Sequence, residues 1–207
     1  MEQWQMLTGE LELILNGYNK GRVFYYTPYY AGRGYSSSAG TSDIQNFKKP
    51  VDRRGMPEWW YREEAVKKFA AILLKYDYPP NSLLVPAPTS QPRQSEDWND
   101  RIDTALQIMQ QKNKAIKVQP LIDTKEPMVS SHLGGSRDYA AIRANVKWGS
   151  DIGSFDPVQC GHIFIVDDVI TTGNHLRSYA DKIFERYPDI PIHALVWGYS
   201  VHDEPNG

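Results

Sequence analysis

Two adjacent carboxylates, Asp167 and Asp168, follow four apolar residues in a row, Ile163, Phe164, Ile165 and Val166. Two apolar residues later comes a polar turn, Thr171-Thr172-Gly173-Asn174, which runs into a segment with helical apolar spacing. An apolar quartet of this kind reads as a strand buried on both faces. It would deliver both acids to the carboxyl edge of a sheet, where ligands bind in open α/β folds. The turn and the first helical turn expose unpaired backbone N–H groups, and the helix dipole adds partial positive charge. Together they make an anion site. Gly173 permits close backbone approach, and the hydroxyls of Thr171 and Thr172 can donate to phosphate oxygens.

Two carboxylates beside a phosphate cradle would repel the phosphate itself. They make sense as acceptors for hydroxyls on the same ligand. A ribose 5-phosphate has both halves, a phosphate for the turn and a 2′,3′-diol for the acids. The plainer alternative is that Asp167 and Asp168 only cap the turn.

The elements that position this segment alternate from Ile44 onward. Residues 62–75 place Ala65, Val66, Phe69, Ile72 and Leu73 at helical spacing. Pro79-Pro80-Asn81 ends that helix, and residues 82–85 read as a short buried strand closed by Pro86. Ser95 can cap a helix to about Lys112, with Trp98, Ile102, Ala105 and Met109 on its buried stripe. Residues 115–118 read as the next strand, and 123–138, with Gly134-Gly135, as a flexible polar connection. Leu176, Tyr179, Ala180, Ile183 and Phe184 form a further helical stripe, and residues 193–197 a last strand. The prediction is an α/β fold, a mostly parallel central sheet with helices on both faces. Residues 1–43 read differently: an apolar stretch at 10–15, a strand-like run at 21–30 and a Gly- and Ser-rich loop at 31–42. They are expected to form an N-terminal extension or hood on a domain spanning 44–207.

A length of 207 residues suits one embellished domain, and 41% hydrophobic with 23% charged residues is ordinary for a globular protein. The formal net charge of −2 advertises neither nucleic-acid nor membrane binding. Cys160 is the sole cysteine, so an intrachain disulfide and a thiolate metal cluster are both excluded. No basic-then-apolar leader and no membrane-length apolar run occurs, so a cytoplasmic protein with no membrane contact is expected. The histidines show no metal-ligand spacing.

VDDVITTG resembles the fingerprint with which type I phosphoribosyltransferases bind 5-phosphoribosyl-1-pyrophosphate (PRPP). Within that superfamily the chain is most similar to the competence-protein F (ComF-like) family, from about Ile44 to Tyr199. IQNFKKP resembles its Phe-Lys element, LLVPAPTSQPR its Val-Pro-x-Pro strand end, and SRDYAAIRANVKW the segment before the fingerprint strand. The resemblance implies that PRPP, or another nucleotide, binds through Asp167, Asp168, Thr171, Thr172, Gly173 and Asn174. It implies a pyrophosphate loop at Ala87, Pro88, Thr89 and Ser90, and Mg²⁺ carried in with PRPP. It also implies a hood whose Arg137, Lys125 or Arg143 covers the leaving group, with Arg137 joining Asp167 and Asp168 as catalytic residues. Three departures stand out. The family's cysteine-rich zinc element is missing, Glu96-Asp97-Trp98-Asn99 stands where the family tends to Arg-Gly-Phe-Asn, and His175 stands where it has a small hydroxyl residue.

Two readings remain open. One is an enzyme transferring phosphoribose to a nitrogenous base with release of pyrophosphate. The other is a non-catalytic module binding a nucleotide or single-stranded nucleic acid. For the latter, Lys48, Lys49, Arg53 and Arg54 beside Trp59, Trp60 and Tyr61 could combine phosphate pairing with base stacking. The Tyr-rich run Tyr25, Tyr26, Tyr29 and Tyr30 reads as core or interface, which leaves a homodimer or a protein partner open.

Overall fold

Residues 3–32, 38–128 and 138–201 are described in the computed structural model. In chain order the strands are β1 (Gln5–Met6), β2 (Val23–Tyr29), β3 (Ser82–Pro86), β4 (Lys117–Val118), β5 (Ile122–Thr124), β6 (Val146–Trp148), β7 (His162–Ile170) and β8 (Ile192–Ser200). The α-helices are α1 (Ala39–Phe47), α2 (Trp59–Leu73), α3 (Arg101–Lys112), α4 (Tyr139–Asn145) and α5 (Asn174–Phe184).

Six strands form one sheet in the order β1-β2-β8-β7-β3-β4, and every pairing is parallel except β1 with β2. The apolar quartet of β7 lies between β3 and β8, fully buried as its composition requires. α1, α2 and α3 pack together along one face, while α5 packs with α4 on the other. The α/β architecture is the one expected from alternating strand and helix signals. On the α1–α3 side, Phe47, Phe69 and Trp197 form a ring cluster with Phe69 and Trp197 stacked 5.0 Å apart. All five apolar positions predicted for the stripe of α2 are buried.

Four differences from the sequence reading have a local reason. Within the expected loop at 31–42, Ser38 caps α1 by accepting from the Thr41 N–H at 3.0 Å, so Ala39 onward is helical. α3 begins at Arg101 and not after Ser95, because Ser95 and Trp98 are taken up in turns that hydrogen-bond back to Pro92 and Ser95. Within the polar connection at 123–138, Asp123 and Thr124 belong to β5, which pairs antiparallel with β6 in a small second sheet. There Asp123 is buried, accepting from the Thr124 N–H at 2.8 Å. Finally, β7 continues past Val166 to Ile170. The boundary expected between 43 and 44 falls inside α1, and β2 pairs with β8 in the main sheet. Residues 3–32 thus supply strands to that sheet as well as, at Tyr29, Ala31 and Gly32, a wall of the cleft described next.

Candidate functional site

From β3 the chain moves outward to β4, and from β7 it moves the other way, to β8. The gap between the carboxyl ends of β3 and β7 is therefore the topological switch point of the sheet, where α/β folds open a crevice. β3 ends in register with β7 at Pro86 opposite Val166, and the Ala87 N–H donates to the Val166 carbonyl at 2.9 Å. Beyond that point the two chains part. β7 runs on through Asp167 and Asp168, while Pro88, Thr89 and Ser90 turn away. Between them lies a cleft of about 220 Å³.

Side chains alternate across a strand, so adjacent acids must face opposite ways. Asp167 looks toward the α5 side. With Thr171, Thr172, Gly173, Asn174 and His175 it also lines a small cup at the start of α5. Gly173 sits at the helix N-cap in the left-handed region, φ 79°. Asp168 looks toward α1 and α3. There Lys48 Nζ lies 3.1 Å from one carboxylate oxygen, and Arg101 donates to the other from Nε at 3.0 Å and Nη2 at 2.6 Å. Both acids line the main cleft, and so do Lys48, Arg101 and the loop at 88–90.

The electrostatics of the two acids diverge. Burial raises the pKa of each, but Lys48 and Arg101 outweigh it at Asp168 and hold that carboxyl far below the usual range. Asp167 has no ion pair among the described residues. Burial and the neighbouring Asp168 charge push it well up, against the opposing Asp168 N–H donated to its Oδ1 at 2.7 Å. Tyr179 closes the floor, its buried hydroxyl donating to the Pro88 carbonyl at 3.1 Å. His175 stacks parallel on the Tyr179 ring.

The structure thus brings together the acid pair, the 171–174 turn and Pro88, Thr89 and Ser90, while Ala87 is buried with its N–H on the Val166 carbonyl and does not line the cleft. Of the cations expected as a hood, it leaves Lys125 and Arg143 outside the cleft. Lys125 Nζ donates to the Ala144 carbonyl at 2.5 Å, Arg143 is ion-paired with Glu185, the C-cap of α5, and neither lines the cleft. Arg137 lies outside the described residues. The basic-aromatic cluster is divided. Lys48 enters the cleft, Arg54 and Arg53 lie 3.8 Å from Asp100 and Glu58, and Trp59 is buried. Trp60 and Tyr61 are exposed.

Arg101 carries no mark in the sequence, where Lys48 reads as one of a basic cluster beside Trp59, Trp60 and Tyr61. The sequence carries only a partial signal: a carboxylate kept charged at the end of a buried strand needs a cation, but which cation is decided only where α1, α3 and β7 meet.

No family model matches the chain, and no curated protein does. Among solved structures, it is similar to a hypoxanthine phosphoribosyltransferase from Staphylococcus aureus in two crystal forms. For the orthorhombic form the TM-score is 0.39 at 14% identity, covering 79% of this chain and 76% of that one. For the tetragonal form it is 0.37 at 14%, covering 79% and 75%. Among the described residues, no helix is long and apolar enough to cross a membrane, and no group of three or more His, Cys, Asp or Glu could hold a metal.

Proposed function

We propose that this cleft binds a ribose 5-phosphate ligand, PRPP in the first instance, and that the chain transfers phosphoribose from it to a nitrogenous base. The observation that supports the reading is the meeting, at the switch point, of a glycine-hinged helix start with a carboxylate on each side of the strand end. In this reading the 5-phosphate sits against the backbone of 171–174, where N–H groups and the α5 dipole favour an anion. The ribose hydroxyls donate to the acids. Pyrophosphate lies toward the loop at 87–90. A nitrogen lone pair forms the new bond to C1 as the C1–oxygen bond breaks and the electron pair leaves with pyrophosphate. Positive charge develops on the ring as breaking of the C1–oxygen bond runs ahead of the new bond, and carboxylates held close to it bind that state better than the ground state.

The donor set fits a metal held mainly by ligand oxygens: Asp168 is occupied by two cations, and Asp167 can offer an oxygen. Mg²⁺ bound with PRPP would neutralise pyrophosphate charge. The ComF-like affinity and a cytoplasmic setting belong to the same proposal. Incubation with Mg-PRPP and a panel of purines and pyrimidines should release pyrophosphate with one of them. PRPP binding with no release from any base would instead leave a non-catalytic nucleotide-binding module on the same site.

A further inference from the structure

Asp168 is set among cleft residues, yet its carboxylate is already satisfied. Lys48 Nζ, from the C-cap of α1, takes one oxygen, and the Arg101 guanidinium, from the first residue of α3, takes the other. The three side chains are mostly buried, with 18%, 14% and 6% exposure for Lys48, Arg101 and Asp168. Arg101 also breaks a local rule. A cation in the first turn of a helix faces the positive end of the dipole, and the usual residue there is acidic. Departures of this kind concentrate at functional sites.

A neutral sugar hydroxyl cannot displace two cations from a carboxylate, because charge-assisted hydrogen bonds are roughly twice as strong as neutral ones. A second anionic group on the ligand changes the balance. It offers Lys48 and Arg101 a new partner, and Asp168 is then free to accept from the sugar. We infer that Lys48 and Arg101 form a counter-ion lock on Asp168 that makes the cleft select a phosphorylated sugar carrying a second anion over the same sugar phosphate without one. The inference rests on the proposed ribose 5-phosphate site and assigns the specificity of that site to two residues. It also names a source for the positive charge that Glu96 and Asp97 do not supply: Lys48 and Arg101.

The test compares ribose 5-phosphate with PRPP by calorimetry on the full chain, wild type against Arg101→Gln and Lys48→Gln. In the wild type PRPP should bind tighter. Each variant should lose about tenfold or more for PRPP and keep, or improve, its affinity for ribose 5-phosphate. Equal losses for both ligands would overturn the lock, since a merely structural role weakens both alike. A second measurement needs no variant. Inorganic pyrophosphate, by occupying the cations, should tighten ribose 5-phosphate binding to the wild type by about fivefold or more, and the reciprocal effect must be equal. Independent or competitive binding of the two would overturn the lock while leaving the sugar-phosphate site intact. Failure of the wild type to bind either sugar phosphate would remove the site, and the lock with it.

Discussion

One oxygen of Asp168 accepts from both Nε and Nη2 of Arg101, at 3.0 and 2.6 Å, while Lys48 lies 3.1 Å from the other. An acid at the end of a central strand is thereby tied to the start of α3 and the end of α1, both on one face of the sheet. Removing one partner of a buried pair leaves uncompensated charge, a cost of about 3–5 kcal/mol. Asp168→Ala should therefore lower unfolding free energy by an amount in that range, measured by urea titration. A loss below 1 kcal/mol would show that the ion pairs contribute little to the fold.

Tyr179 joins α5 to the loop after β3 through its hydroxyl on the Pro88 carbonyl. Tyr179→Phe leaves that buried acceptor unpaired, at about 1–3 kcal/mol. Chemical denaturation should register the loss, and the loop at 87–90 should exchange its amide hydrogens faster than in the wild type.

Gly173 has φ 79°, and a Cβ built there would lie 1.9 Å from Ile14 Cδ1. Gly173→Ala should be destabilised by about 1–2 kcal/mol for the left-handed backbone, with a further penalty for the clash. Combining it with Ile14→Ala should recover the clash part and leave the backbone part. Full additivity of the two single substitutions would mean that Ile14 moves aside at no cost.

At the opposite edge of the sheet the Arg22 N–H donates to His193 Nδ1 at 3.2 Å, which leaves the proton of the neutral ring on Nε2, 3.2 Å from His162 Nδ1. Burial, followed by His162 and Arg22, pushes the His193 pKa down from 6.5 to about 4. The unfolded chain takes up this proton first, so stability is intact above pH 6.5 and drains away as pH falls toward 4. The slope contributed is at most about 1.4 kcal/mol per pH unit. Urea midpoints measured across that window should fall less steeply in His193→Gln than in the wild type.

Much of the sheet was legible because its strands are apolar runs of the right length, and the β7 quartet and the α5 stripe carried that signal unambiguously. The start of α3 was not, since Ser95 offers a good cap and only the turns through Pro92 and Trp98 decide against it. β5 was hidden by Asp123, a carboxylate in a buried strand that periodicity reads as loop. At the site, the turn at 171–174 and the acids were readable from spacing alone. Their division onto opposite sides of the strand follows from the extension of β7 past Val166, which Asp167 and Asp168 disguise. Arg101 was invisible because its role depends on three elements distant in sequence.

The central claim is that a ribose 5-phosphate ligand occupies the cleft with Asp167 on its hydroxyls. Calorimetric titration of the full chain with Mg-PRPP, wild type against Asp167→Asn, tests it across a pH series. Saturable one-site binding is predicted for the wild type, strengthening as pH rises through the raised pKa of Asp167 and the carboxylate forms. Asp167→Asn should bind more weakly by ~1.5–3 kcal/mol and lose that pH dependence. Absence of binding to the wild type, or unchanged affinity and pH profile in the variant, would contradict the account.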